Sequence, residues 1–377
     1  MCQVYTFAQN ADRIKVGIFW DGRPQRMLVS GRTWGYDIYA DGVKVDELSP
    51  AGVIQLSAVG TNIQLRTLSH TIGTYHQIEL RPQNENSSLI LRPSKPALPE
   101  RKYEGKFIIT VSGGLLKIIN DVKFDLYLAG VVQSEAGNYH TLEYYKVQAI
   151  ICRTYALKHF FKYKADGFNL CDRVDSQVYK TLAWNDTIRQ AVAETKDVVI
   201  VDSDINLISA VFHSNSGGAT INSEDLWVMP VPYLRAVTDS FSICEPHYDW
   251  SVAVEKNEFL SYFAKNGVDT TDSTNLNLIL NYCPNGRYTH FFPEENKVPL
   301  RQFRSDFKLN STYFCTGVSG DSVIVVGKGF GHGVGLSQEG AMHMARLGYT
   351  YTEILHHYYQ NIHLIKLSVI DFFREEN

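Results

Sequence analysis

Glu135 is the first residue whose type and setting point to chemistry. It closes an aliphatic run carrying Leu126, Leu128, Val131 and Val132, which reads as a strand. The turn material Ala136-Gly137-Asn138 follows, and Thr141 then opens a strongly apolar helical segment. A carboxylate that follows directly on a buried element loses solvent, which disfavours its charged form and raises its pKa, as a general acid working near neutral pH requires. By position alone the commoner meaning of such an acid is an exposed charge complementing a helix dipole. Arg153 bears on the choice. It sits among Val147, Ile150, Ile151, Cys152, Ala156 and Leu157, so at least part of it is desolvated. A buried guanidinium needs a partner, and the candidates are Glu135, another structural acid or a set of core carbonyls.

Two further stretches gather small polar groups. FHSNSGGAT places His213, Ser214, Asn215, Ser216, Gly217, Gly218 and Thr220 on a glycine-rich bend after an apolar strand, where backbone N–H groups and hydroxyls can meet a ligand or simply form a loop. GKGFGHGVGLSQEGAMHMARLG sets glycines at 327, 329, 331, 333 and 335 around His332. A helix then opens with Ser337 as N-cap and ends before Gly348. No lysine follows in Walker spacing, so this is not a phosphate loop, and no HExxH occurs to support a metallohydrolase. Thr350 and Glu353 stand in capping-box register for a last helix packed through Ile354, Leu355, Tyr358 and Tyr359.

The elements that must carry these residues fit an α+β chain of mixed, mostly antiparallel sheets with a few helices. From Ile14 the runs KVGIFW, RMLVS, YDIYA, VIQLSAV, NIQLRTL and HQIEL form short strands broken by Asp-Gly, Gly and Asn. Prolines at 82, 93, 96 and 99 mark a linker, so the expected division is a β-rich N-terminal domain over 9–98 and a second domain over 99–370. Residues 1–8 read either as the end of an export leader, with Thr6-Phe7-Ala8 as a cleavage signal, or as a short tail. Residues 251–315 show a modest helix at Glu258 to Lys265 and strands near RYTHFF and STYFCTG, with no chemistry.

At 377 residues and 44% hydrophobic content the chain buries a sizeable core. A net charge of −4 leaves no basic field for nucleic acid, and no run is long enough for a transmembrane segment. The 22 tyrosines and 19 phenylalanines can stack on sugar faces, although core packing is their commoner use. Six scattered cysteines permit disulfides without fixing any.

YLAGVVQSE, KVQAIICRTYAL, CDRVDSQVYK, FHSNSGGAT with DLWVMPVPYL, and GFGHGVGLSQEGAMHMA, in that order between Tyr127 and Tyr359, resemble the SpoIID/LytB family of bacterial cell-wall proteins. The resemblance implies an exported, periplasmic or envelope protein. By it, Glu135 is the catalytic acid of a lytic transglycosylase that cuts between N-acetylmuramic acid and N-acetylglucosamine in peptidoglycan strands stripped of peptides. Arg153, Tyr155, Gln177, Ser214, Ser216, Gly217, Gly218, Thr220, His332 and Gln338 then line the glycan groove. A noncatalytic glycan-binding partner of a cell-wall amidase is the alternative. Characterised relatives hold a zinc partly through a His-Cys pair just before the Gln-x-Tyr element. Here those positions are Asp175 and Ser176, with Cys171 alone retained, so the resemblance implies a degraded site and no metal cofactor.

Overall fold

The computed structural model describes residues 12–370 except 228, 293, 294 and 296; the expectation for residues 1–8 lies outside the described residues. The chain divides into two compact units, one comprising residues 1–200 and 365–377, the other residues 201–364.

The first unit opens with twelve strands in chain order: β1 (Arg13–Ile18), β2 (Arg26–Thr33), β3 (Tyr36–Ala40), β4 (Val43–Leu48), β5 (Val53–Val59), β6 (Asn62–Thr67), β7 (Thr71–Tyr75), β8 (Ile78–Pro82), β9 (Ser88–Lys95), β10 (Arg101–Glu104), β11 (Lys106–Ser112) and β12 (Leu115–Lys123). They form two sheets, one in the order β1-β12-β11-β8-β3-β4 and the other β10-β9-β2-β5-β6-β7, antiparallel throughout. The short β13 (Leu170–Cys171) adds to β1 in parallel. Alternation does the sorting: Ile14, Val16 and Ile18 of β1 are buried while Arg13 and Lys15 stay at the surface. Within the proline-bearing stretch, Ser88–Lys95 form strand β9 where a linker was expected, while Pro96 and Pro99 lie beyond it. Pro93 pairs with Met27 of β2 beyond Leu91, the last residue matched to β10, so it sits where β9 is an edge on that side.

A second difference touches Glu135. The aliphatic run is helix α1 (Phe124–Ala136), not a strand, and Glu135 lies in its last turn. The helix is buried almost all round, from Tyr127 through Gln133, so its sequence lacks the polar stripe that announces a helix. Gly130 lets it lie against Tyr179, because a Cβ there would stand 2.5 Å from the ring and 2.6 Å from the Thr181 carbonyl. Helix α2 (Leu142–Lys158) starts at Thr141, whose hydroxyl accepts from Tyr144 N, as its sequence predicts. Helix α3 (Asp186–Glu194) is capped by Asn185.

The second unit takes over within β14 (Val198–Val201) and continues through β15 (Phe212–His213), α4 (Glu224–Trp227), β16 (Asp249–Glu255), α5 (Lys256–Lys265), α6 (Ser273–Leu280), β17 (His290–Phe292), β18 (Lys297–Pro299), α7 (Leu300–Asp306), β19 (Phe314–Ser319), β20 (Ser322–Lys328), β21 (Leu336–Ser337), α8 (Gln338–Arg346) and α9 (Tyr351–Tyr358). Strand β20 is central to an antiparallel sheet with β16 and β19. An aromatic core of Phe259, Phe263, Phe291, Phe303 and Phe314 packs with Val323 and Val325 of that strand. Cys283 and Cys315 form a disulfide inside this unit.

Candidate functional site

The first group of predicted residues lies in the first unit. Glu135 is half-buried at the end of α1, and its Oε1 accepts the backbone N–H of Val178 at 2.8 Å. Burial pushes its carboxyl pKa up, and the Val178 bond and the Lys180 charge only partly offset that, so it stays above the usual glutamate value. The whole last turn grips the segment around residues 178–185. Lys180 N donates to Ser134 Oγ at 3.1 Å, and Asn185 N donates to Gln133 Oε1 at 3.3 Å. Gln177 holds that segment from the other side, accepting from Tyr127 Oη at 3.1 Å and donating to the Cys152 carbonyl at 3.2 Å. Burial first, and then the Glu135 charge, push the Cys152 thiol up.

Arg153 takes the carbonyl solution. Only 1% exposed, its guanidinium donates to the Val198 carbonyl at 3.2 Å and the Val192 carbonyl at 3.3 Å, and burial lowers its pKa to about 10. It ties α2 to the end of α3 and to β14, and it is not the partner of Glu135. Tyr155 is half-buried and donates to the Asp175 carbonyl at 2.9 Å.

That contact leads to the positions that would hold a zinc. The Cys171 thiol donates to Asp175 Oδ1 at 3.6 Å. Against burial, which raises it, the Tyr163 hydroxyl, Lys162 and Arg173 hold the Asp175 carboxyl down at about 2. Tyr163 Oη stands 2.8 Å and Lys162 Nζ 3.3 Å from Oδ2, and Arg173 Nε 2.9 Å from Oδ1. These residues do not fit a zinc. The one carboxylate is consumed by two cations and a hydroxyl, and no group of three or more His, Cys, Asp or Glu converges for a metal among the described residues.

The second group lies in the other unit, where β15 and β21 pair in parallel, Phe212 with Leu336 and His213 with Ser337. That pairing sets the two glycine-rich loops side by side, and Asn215 bridges to Phe330. Gly329, at φ +77°, passes so close that a Cβ would lie 2.7 Å from the Asn215 carbonyl oxygen. Ser216 is buried and donates to Asp239 Oδ2 at 2.7 Å, and Gly218 N donates to Ser216 Oγ at 3.2 Å. Gly217 N donates to Asn215 Oδ1 at 2.7 Å, and buried Thr220 accepts from Val237 N at 2.8 Å. Ser214 is half-buried and gives its carbonyl to Glu339 N at 3.0 Å, while Gln338 opens α8 half-buried. His332 Nε2 lies 3.0 Å from the Phe212 carbonyl and its Nδ1 accepts from Val334 N at 3.1 Å, so the ring is neutral with its proton on Nε2. Burial lowers its pKa to about 4.

Asp239 and Arg287 belong with this group and were not picked out by sequence. Asp239 is fully buried, accepting from Ser216 and from Tyr358 Oη at 2.9 Å. Arg287 donates to the Ser216 carbonyl, and a Cβ at Gly333 would meet its Nη1 at 2.8 Å. Nothing in TDS or NGR sets them apart locally; only the fold brings them to the loops.

Residues 112–201, which include Glu135, Arg153, Tyr155 and Gln177, match the family model described as SpoIID, Stage II sporulation protein. The chain is 30% identical over 258 residues to a protein named Stage II sporulation protein D from Bacillus subtilis (strain 168), covering 64% of this chain and 74% of that one. A protein of the same name from Bacillus amyloliquefaciens is 28% identical over 298 residues, 75% of this chain and 85% of its own length. A protein named Amidase enhancer from Bacillus subtilis (strain 168) is 26% identical over 342 residues, 76% of this chain and 47% of its own length.

Proposed function

The chain belongs to the SpoIID/LytB family, and from that premise we propose that it is an exported peptidoglycan lytic transglycosylase acting on glycan strands freed of their peptides. The observation that carries the reading is the state of Glu135. Its carboxyl is half-buried, raised above its ordinary pKa by desolvation, and fixed in direction by the Val178 N–H. A carboxyl whose pKa is raised holds its proton to higher pH, as a general acid must.

The reaction needs one such group. Glu135 gives its proton to the glycosidic oxygen between N-acetylmuramic acid and N-acetylglucosamine, and the bond from that oxygen to C1 breaks with oxocarbenium character at C1. The carboxylate left behind takes the proton of the muramic acid 6-hydroxyl as its oxygen bonds to C1, closing a 1,6-anhydro ring. Glu135 ends protonated as it began, and no water is consumed.

A second reading rests on the Amidase enhancer relative: a noncatalytic glycan-binding protein that recruits a cell-wall amidase. Mass spectrometry of amidase-stripped strands incubated with the purified chain separates the two. Anhydro-muramic ends support the transglycosylase, reducing ends mean hydrolysis, and intact strands returned by a folded protein favour the recruiter.

A further inference from the structure

Beside the glycine loop, the second unit carries a basic groove. One cavity of about 400 Å³ is lined by Arg287 and Arg301, and a second of about 1020 Å³ by Arg301, Arg304, Lys308, Asn310 and Phe330. The two share Pro299 and Arg301, so they adjoin there. Asn310 anchors the loop by accepting from Gly331 N at 2.9 Å, and Phe330, 38% exposed, offers an apolar ring at the same end.

Among the described residues none of these four cations has an acid partner, although Arg13, Arg81, Arg92, Arg101, Arg173 and Arg235 all do. A chain of net charge −4 has acids to spare, so the shortage is local. No Asp or Glu lines the larger cavity, and of the two at the smaller one, Glu224 is held by Arg235 at 2.5 Å and Asp225 accepts from Asn222 at 3.2 Å. Arg287 leaves Nε and Nη1 without a hydrogen-bond partner, and Arg304 spends its Nε on the Leu309 carbonyl at 3.2 Å. Desolvation lowers both guanidinium pKa values, Arg287 to about 10, with no carboxylate to offset it and only the Tyr313 phenol acting in the other direction on Arg287. Desolvated cations without counter-charges bind an anion at little further desolvation cost.

We propose that this groove is a carboxylate subsite, which takes the lactyl carboxylate of a muramic acid residue whose peptide has been removed while Phe330 meets the sugar face. The proposal rests on the cell-wall glycan reading above. In an intact strand that carboxyl is locked in an amide to the peptide and bears no charge. Hydrolysis of the amide frees it, so the groove distinguishes the product of an amidase from its substrate.

Calorimetric titration of the full chain carrying Glu135→Gln, which removes turnover, tests this with three probes: amidase-stripped strands, the same strands with their carboxyls converted to methylamides, and inorganic polyphosphate. The stripped strand should bind roughly three- to tenfold tighter than the amidated one, the range expected for one or two solvent-facing ion pairs. High salt should erase the gap. Arg301→Gln with Lys308→Gln, both at exposed positions and therefore neutral for folding, should erase it too. Equal affinity for the two strands overturns the carboxylate subsite alone. Polyphosphate binding as tightly as the stripped strand, and lost in the double variant, overturns it in favour of a general polyanion surface. Absence of binding to either strand overturns the glycan reading as well.

Discussion

Glu135 and His332 are each the ionisable centre of a group of predicted site residues, and the protein treats them in opposite ways. Burial perturbs both. The perturbation of Glu135 raises its carboxyl pKa, the direction a general acid requires, with a backbone N–H orienting it. The perturbation of His332 takes it out of acid–base work: both ring nitrogens are spent on backbone groups of Phe212 and Val334, and the ring stays neutral. Arg153, Gln177, Ser216 and Thr220 side with the histidine, since their polar atoms go to backbone carbonyls, a backbone N–H, a buried hydroxyl and a buried carboxylate. A motif residue can therefore shape a site without touching its chemistry, and hydrogen-bond satisfaction separates the two roles.

The contrast can be broken at several points. The largest expected effect is on activity at Glu135, where replacement by Gln should lower the cleavage rate by about 10²–10⁴-fold. The same variant should melt no lower than the parent at pH 7. A carboxyl whose folded pKa is raised above its unfolded value stabilises only below that unfolded value, and the benefit is lost as pH rises through the folded pKa, so Gln removes a liability. A lower melting temperature in scanning calorimetry would count against the raised pKa.

In the glycine loop the expected loss is structural. Gly335 sits at φ +71° with a Cβ position 2.3 Å from the Val211 carbonyl oxygen, so Gly335→Ala should cost about 3 kcal/mol in denaturant unfolding. Within the same network Ser216→Ala leaves Asp239 without one of its buried donors, for a loss of about 1–3 kcal/mol.

A third test uses pH. The folded pKa of His332 is depressed from 6.5 to about 4, so the stability contributed by its neutral form is present above pH 6.5 and is lost as pH falls through that window. Nitrogen NMR of the ring should show it neutral at pH 5.5; a protonated ring there would remove the contrast with Glu135. The smallest effect belongs to Asp175→Asn, which releases solvent-facing Lys162 and Arg173 and should cost under about 1 kcal/mol. Excess chelator should leave the melting temperature of the parent chain unmoved, since the Asp175 carboxylate is already taken up by Lys162, Arg173 and Tyr163.

How far the sequence foretells this depends on the range of each interaction. The caps at Thr141, Ser337 and Thr350 follow from residues three positions apart, and all three form as their spacing predicts. Helix α1 reads as a strand because tertiary burial on nearly every side removes its polar face. The Val178 N–H that aims Glu135 comes from a segment 43 residues away and has no side-chain signature. Arg287 is further still from the loop it supports, 71 positions along the chain from Ser216, and no local pattern marks it.

The most direct measurement is single-turnover cleavage of a defined, amidase-stripped strand by the parent chain and its Glu135→Gln variant, with strand affinity measured on the same preparations. With Glu135 as the general acid, the affinities should match, the parent should yield anhydro-muramic products, and cleavage should fall at least about a hundredfold in the variant. Cleavage at the parental rate by a folded variant that binds the strand equally well would contradict that role.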